Sequence, residues 1–311
     1  MSATRYTYLG PAGTFTEAAL RKLPEAATRE LVPMVTVSAA LDAVRAGEAA
    51  AALVPIENSV EGGITTTLDE LIAGEPLMIY REVLLPITFA LLVRPGTQLA
   101  DIKTVTAHPA AQTQVRNWLA ANLPDAVWES SASNADGARL VQEGRYDAAF
   151  AGEFAAATYG LEPLVTEIHD AANAQTRFVL VGRPARPAAP TGADKTSVVI
   201  WQRDDHPGAL LELLQEFAVR GVNLVLLQSR PTGEGIGSYC FAIDAEGHVS
   251  DPRVGEALMG LKRICLKVRF LGSYPQADVS PQDVRALRPG TSDGDFAEAS
   301  DWLTRCRDGR F

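Results

Sequence analysis

Over roughly the first 180 residues, apolar positions switch between the short runs of buried strands and the 3.6-residue spacing of helices. "YTYLG" is a short strand. "TFTEAALRKL" then sets Phe15, Ala18, Ala19 and Leu23 on one helical stripe, with Thr14 and Glu17 at capping-box spacing. "MVTV" predicts a strand leading to Ser38, a good N-cap, and a helix that stops at Gly47. "AAALVPIEN" predicts the third strand, and after "SVEGG" a helix runs through "TTLDELIAG". Residues 77–93, β-branched and aromatic throughout, read as extended. The alternation resumes with the strand "IKTVTA" and a helix opening at Pro109. The strand "VWESS", a helix opened by Ser133 and Asp136, the strand "DAAFAG" and the helix "EFAAATYG" follow, before the strands "LVTEI" and "TRFVLVG".

Repeated strand–helix units predict mostly parallel sheets covered by helices. There are too many for one small sheet. The extended stretch at 77–93 and a return near 165–182 therefore predict two α/β lobes joined by two crossings. Residues 184–195, rich in proline and alanine, predict a linker. From Thr196 to Pro275 the pattern is βαββαβ, a ferredoxin-like module. Its first helix carries Leu210, Leu214 and Phe217 at i, i+4, i+7, and its second Val254, Leu258 and Leu261. The expected organisation is thus 1–183, two α/β lobes; 184–195, linker; 196–275, the smaller module; and 276–311, a polar tail with one late helix through Phe296, Ala299 and Leu303.

Composition narrows the function. Hydrophobic residues make up 47% of the 311, enough for a real core. With 28 Lys and Arg against 38 Asp and Glu, the net charge is −10, and no basic run offers a face to nucleic acid. The cysteines Cys240, Cys265 and Cys306 lack metal-ligand spacing and read as free thiols in a reducing compartment. "LLPITFALLV" is too short to span a bilayer and contains Pro86, and the N-terminus has no apolar targeting core. A cytoplasmic protein with no membrane partner is expected. His108, His169, His206 and His248 show no ligand spacing, and HExxH, Walker-type and GxSxG motifs are missing, so neither metal nor cofactor is expected.

Small polar residues remain at the C-terminal ends of strands, where open α/β sheets bind ligands. Gly10 to Thr14 form the first such turn, equally readable as a turn plus N-cap. Glu57, Asn58 and Ser59 end the third strand with more chemistry than a turn requires. His108, directly after the strand "TVTA", either faces a cleft or serves as a turn residue before Pro109, and Asn134 and Asp136 suit a helix start. Thr176 and Arg177 stand at the mouth of the last strand, either facing a cleft or forming a strand edge with a paired arginine.

Taken together, "YLGPAGTFTEAAL", "VPIENSVEGG", "AHPAAQTQ", "NAQTRFVLV", "HPGALLELL", "QSRP", "YCFAIDAEGH" and "LGSYP" resemble, in order and spacing, the motifs of prephenate dehydratases. The resemblance covers roughly residues 6–275 and is to the monofunctional form. It implies a periplasmic-binding-protein-like two-lobed catalytic domain, a C-terminal ACT domain, and conversion of prephenate to phenylpyruvate, water and carbon dioxide. It implies Thr176 as the catalytic residue and Thr14, Asn58, Ser59 and Arg177 as substrate contacts, Arg177 being readable also as a structural ion pair. Pro207, Gly208, Ala209, Leu210, Leu211, Asn223, Gln228, Ser229, Arg230 and Pro231 match segments that bind the effector phenylalanine. Pairing of ACT domains implies a homodimer or homotetramer. Ala107, Ala110 and Asn134 depart from the usual serine, glutamine and threonine or serine, and Gln228 replaces the usual glutamate. Arogenate dehydratase is the sibling alternative, and a non-catalytic amino-acid sensor the alternative of another class.

Overall fold

In chain order the first lobe runs β1 (Arg5–Leu9), α1 (Phe15–Arg21), β2 (Glu30–Met34), α2 (Val37–Arg45), β3 (Ala51–Asn58), β4 (Gly62–Gly63), α3 (Thr65–Ile72) and β5 (Met78–Pro86). The second runs β6 (Phe89–Val93), β7 (Thr104–Ala107), α4 (Pro109–Asn122), β8 (Val127–Ser130), α5 (Asn134–Gln142), β9 (Ala148–Ala151), α6 (Ala155–Tyr159) and β10 (Glu162–Ile168), and β11 (Gln175–Gly182) returns to the first. This computed structural model describes residues 4–232, 239–277 and 279–310. The chain divides into two compact units, residues 1–70 with 83–183, and residues 71–82 with 184–311.

Both lobes lie in the first unit, except that the end of α3 and the first part of β5, within residues 71–82, group with the second. The first sheet has the order β2-β1-β3-β11-β5, with β1 parallel to β2 and β3 and β11 antiparallel to β3. The second has the order β10-β6-β9-β7-β8, parallel at β7 with its neighbours and antiparallel where β6 meets β9 and β10. Apart from the short β4, antiparallel to the end of β3, the strands that break the parallel pattern are those flanking the two crossings between lobes. A core of Leu20, Leu53, Leu91, Val105, Phe150 and Phe178, all nearly solvent-free, runs through both sheets.

Local sequence explains most element ends. Thr14 caps α1 by accepting from Glu17 N, but the Glu17 carboxylate reaches Gly13 N (2.6 Å) instead of completing the box at Thr14. The cap of α2 is Thr36, whose Oγ1 accepts from Ala39 N, so Ser38 lies within the helix. Apolar Val35, 93% exposed, misleads there by extending the look of a strand beyond Met34.

The second unit contains β12 (Asp194–Trp201), α7 (Ala209–Ala218), β13 (Leu224–Pro231), β14 (Tyr239–Glu246), α8 (Pro252–Ile264), β15 (Lys267–Pro275) and α9 (Asp293–Arg307). Sheet order β13-β14-β12-β15 makes it the ferredoxin-like module. Its core joins Val198, Ile200, Leu213, Phe217, Ile243 and Leu261. Gly272 (φ +139°) could not be replaced without collision, since a Cβ there would stand 2.2 Å from Ile79 O. The turn "TGEGIG", apart from Thr232, lies outside the described residues. Among the described residues no helix is long and apolar enough to cross a membrane.

Buried tyrosines give the first unit an alkaline limit. Burial, and secondarily the charge of Glu17, push the Tyr8 hydroxyl well above its ordinary value, and burial raises Tyr159. A raised acid keeps its proton longer in the fold than in the unfolded chain. That stability is complete below about pH 10 and is lost as pH rises beyond it. Urea midpoints should therefore fall steeply above pH 10, and Tyr8→Phe should flatten that limb. An unchanged limb in the variant contradicts the assignment.

Candidate functional site

A cleft of about 640 Å³ opens within the first unit, between the two lobes. The starts of α1, α4 and α5 all contribute to its wall, through Thr14, His108 and Ser133. Helix N-termini carry partial positive charge and free N–H groups, so three in one wall favour an anionic ligand. Phe15, Phe89, Phe178 and Ile87 supply an apolar surface beside them.

Thr176, the second residue of β11, lies in this wall and is 7% exposed. Its cross-strand partner is Asn58, and Asn58 Nδ2 donates to Thr176 Oγ1 at 2.9 Å. The amide orientation is fixed independently, because Asn58 Oδ1 accepts from Val60 N (2.8 Å) and Glu61 N (3.1 Å). With Asn58 as donor, the threonine keeps its hydroxyl proton for a further acceptor. The register shifts between Arg177 and Phe178, where Ile56 of β3 is the extra residue. That bulge reverses the parity of β3 beyond it, so Pro55 and Asn58 both reach the cleft.

The remaining candidates divide. Thr14 lines the cleft, but its hydroxyl is engaged, accepting from Glu17 N (3.4 Å) and donating to Leu9 O (3.2 Å). Ser59 is not a lining residue. Its Oγ accepts from Gln175 N (2.9 Å), fastening β3 to β11 just beyond Thr176. Arg177 is buried and also absent from the lining, and it sits across from Glu57 at 3.6 Å. His108 and Asn134 both line the cleft while acting as helix-start residues: His108 Nδ1 accepts from Ala110 N, and Asn134 Oδ1 from His108 N (2.9 Å). The asparagine thereby ties the starts of α4 and α5 together. Gly13 (φ +79°) lets the loop before α1 lie against α6, where Tyr159 donates to Ala12 O at 2.7 Å.

One lining residue escaped the sequence reading. Gln114, on α4, is 5% exposed, and its Oε1 meets no donor among the described residues. Its Nε2 makes only a long contact, 3.4 Å, to Ala110 O. Helical spacing assigns Gln114 to the buried stripe of Ala111 and Val115, and a glutamine in such a stripe was the available signal.

In the second unit, Gly208 (φ +95°) is the N-cap of α7, so Pro207 and Gly208 form the turn into it and Ala209 to Leu211 its first turn. Asn223 precedes β13, and Gln228, Ser229, Arg230 and Pro231 form its second half. Among the described residues no group of His, Cys, Asp and Glu is arranged to hold a metal ion.

Both units match known proteins. The family model described as prephenate dehydratase matches residues 6–186, and that of the ACT domain residues 196–263. A curated prephenate dehydratase of Mycolicibacterium vanbaalenii is 48% identical, over 97% of this chain and 98% of that one. The solved prephenate dehydratase of Arthrobacter aurescens, in complex with L-Phe, is 49% identical with a TM-score of 0.92, covering 98% of this chain and 99% of that one. A second solved chain, GqqA, described as a novel type of quorum quenching acylase, is 29% identical with a TM-score of 0.78, over 88% of this chain and 98% of that one. With likeness of this extent across both units, the chain belongs to the prephenate dehydratase family.

Proposed function

We propose that the enzyme catalyses the decarboxylating dehydration of prephenate, a carbon–oxygen lyase reaction, with Thr176 as its hydrogen-bond donor. The ring carboxylate leaves as carbon dioxide, its bonding pair moves through the ring, and the opposite carbon–oxygen bond breaks. The departing hydroxide takes one proton and becomes water. Aromatisation drives these steps, so what the protein must add is orientation, a donor at the leaving oxygen and exclusion of bulk water. The observation that carries this reading is the Thr176 hydroxyl, held by Asn58 with its proton unspent inside an anion-favouring cleft. The carboxylate that survives the reaction is held by the helix starts in the wall. Neither Ser59 nor Arg177 is assigned a substrate contact; each serves through β3 and β11, on which Asn58 and Thr176 stand.

Gln114 accepts from the substrate hydroxyl, steadying it until it departs. This gives two opposite expectations for Gln114→Met. Loss of the contact should lower kcat/KM about 10- to 100-fold, while removal of an unsatisfied buried acceptor leaves stability unchanged or raised. An unimpaired kcat/KM, measured beside a denaturation curve, removes Gln114 from the site.

The decisive assay follows phenylpyruvate formation from prephenate by purified protein, with arogenate and an N-acyl-homoserine lactone run in parallel. Turnover of arogenate alone makes the enzyme an arogenate dehydratase, and cleavage of the acyl amide bond alone, the acylase chemistry for which GqqA is described, replaces the lyase reading. The second unit is the regulatory part, responding to phenylalanine as effector. Exposed Val225, Leu227 and Tyr239 give its sheet an apolar edge suited to a second copy, and sedimentation should report a dimer or tetramer. Its place of work is the cytoplasm, where such biosynthetic substrates are made.

A further inference from the structure

Helix α9 (Asp293–Arg307) lies beyond the residues matched by either family model, and none of its residues is buried. It starts firmly. Ser292 and Asp295 form a complete capping box, and buried Thr291 donates to Arg288 O at 2.7 Å. The helix packs on α8, and Phe296 and Cys306 are half-buried, but Trp302 is 57% and Leu303 42% exposed. A helix of this length is marginal in water unless its apolar face is covered. Here most of the Trp302 ring stays in water.

Charge along α9 is sorted by sign. Asp293, Asp295, Glu298 and Asp301 precede Trp302, whereas Arg305 and Arg307 follow it. Glu298, Trp302 and Arg305, spaced by four and then three residues, stand in one row along the helix. Among the described residues neither Glu298 nor Arg305 has an ion-pair partner, and Asp301, one turn before Arg305, does not pair with it. An acidic half, a tryptophan and a basic half make a pattern complementary to its own reverse. A foreign acidic or basic partner would satisfy one half only, and a second copy satisfies both. We propose that α9 pairs antiparallel with α9 of a second copy of this chain, about a two-fold axis beside Trp302. That axis sets Trp302 against its own counterpart and places Glu298 of each copy beside Arg305 of the other. Parallel pairing would align acid with acid and base with base.

Sedimentation of the full chain over a concentration series tests it. One helix pair is a small interface, so wild type should double its mass with a dissociation constant on the order of micromolar. Trp302→Ala should weaken that doubling at least about thirtyfold, as loss of a central tryptophan does. Glu298→Arg and Arg305→Glu each set like charges together at both symmetry-related contacts, and each should weaken it about tenfold. Combining both substitutions in one chain restores the doubling. So does mixing the two single variants in equal amounts, because they then pair with one another. Melting curves verify that each variant is folded. No concentration-dependent doubling in wild type, or the same doubling in Trp302→Ala, overturns the pairing. Weakened doubling in Trp302→Ala without rescue on mixing means that this face meets another surface, and it overturns the antiparallel arrangement.

Discussion

Thr176→Val should lose about 10²–10³-fold in kcat while the protein remains folded and substrate binding changes little. Valine keeps the shape and branching of threonine and removes only the hydroxyl. The lost interaction matters most as negative charge develops on the leaving oxygen, so the effect belongs in kcat more than in KM. The substitution also strips Asn58 Nδ2 of its acceptor, in a pair now 2.9 Å apart. That costs about 1–3 kcal/mol of stability. Asn58→Leu separates the two roles. It leaves the hydroxyl in place but unanchored, and it frees Val60 N and Glu61 N, so turnover should drop less than in Thr176→Val and the loop should loosen. Steady-state kinetics with thermal melts on the same samples decide the matter. A Thr176→Val enzyme within threefold of wild-type kcat ends the assignment of Thr176.

What made Thr176 legible was its place at the mouth of an apolar strand, together with motif order along the chain. The geometry that activates it was not legible. β3 is apolar from Ala51 to Ile56, so alternation carries no information on which residues face the cleft, and the bulge at Ile56 that aligns Asn58 with Thr176 leaves no sequence mark. The two-lobed plan was visible because helix and strand periods alternate cleanly and both crossings are extended. The cap at Ser133 was readable because Asp136 follows at capping-box spacing, whereas that at Thr36 was misread because a second hydroxyl follows two positions later. Ser59 and Arg177 illustrate a different limit. Polar residues next to a reactive one in sequence point to the opposite face of a strand, and strand pairing then decides their partners. Gln114 shows the converse, since a helical stripe reads as core whether its one polar member is satisfied by protein or by ligand.

The largest stability effect is expected at a pair that sequence could not join. Lys195, at the start of β12, and Glu82, in β5, form an ion pair within the second unit at 2.8 Å, with side chains 10% and 2% exposed. The lysine nitrogen meets both carboxylate oxygens, and Glu82 Oε1 also accepts from Ala277 N at 2.9 Å. Nearby, Arg269 Nη1 donates to Leu71 O (3.0 Å) and Ala73 O (2.5 Å), so the stretch 71–82 is held at both ends. Lys195→Met deletes the countercharge of a carboxylate that cannot reach water, and should cost about 3–5 kcal/mol. For a unit of this size that is a fall of roughly 10 °C in melting temperature. The double variant Lys195→Met with Glu82→Leu removes both charges at nearly constant volume. It should recover most of the loss, since well-packed apolar replacements of buried pairs are often neutral. Recovery remains incomplete because Ala277 N–H loses its acceptor. A single variant within 1 kcal/mol of wild type, measured by denaturant unfolding, means that this pair does not anchor the 71–82 stretch.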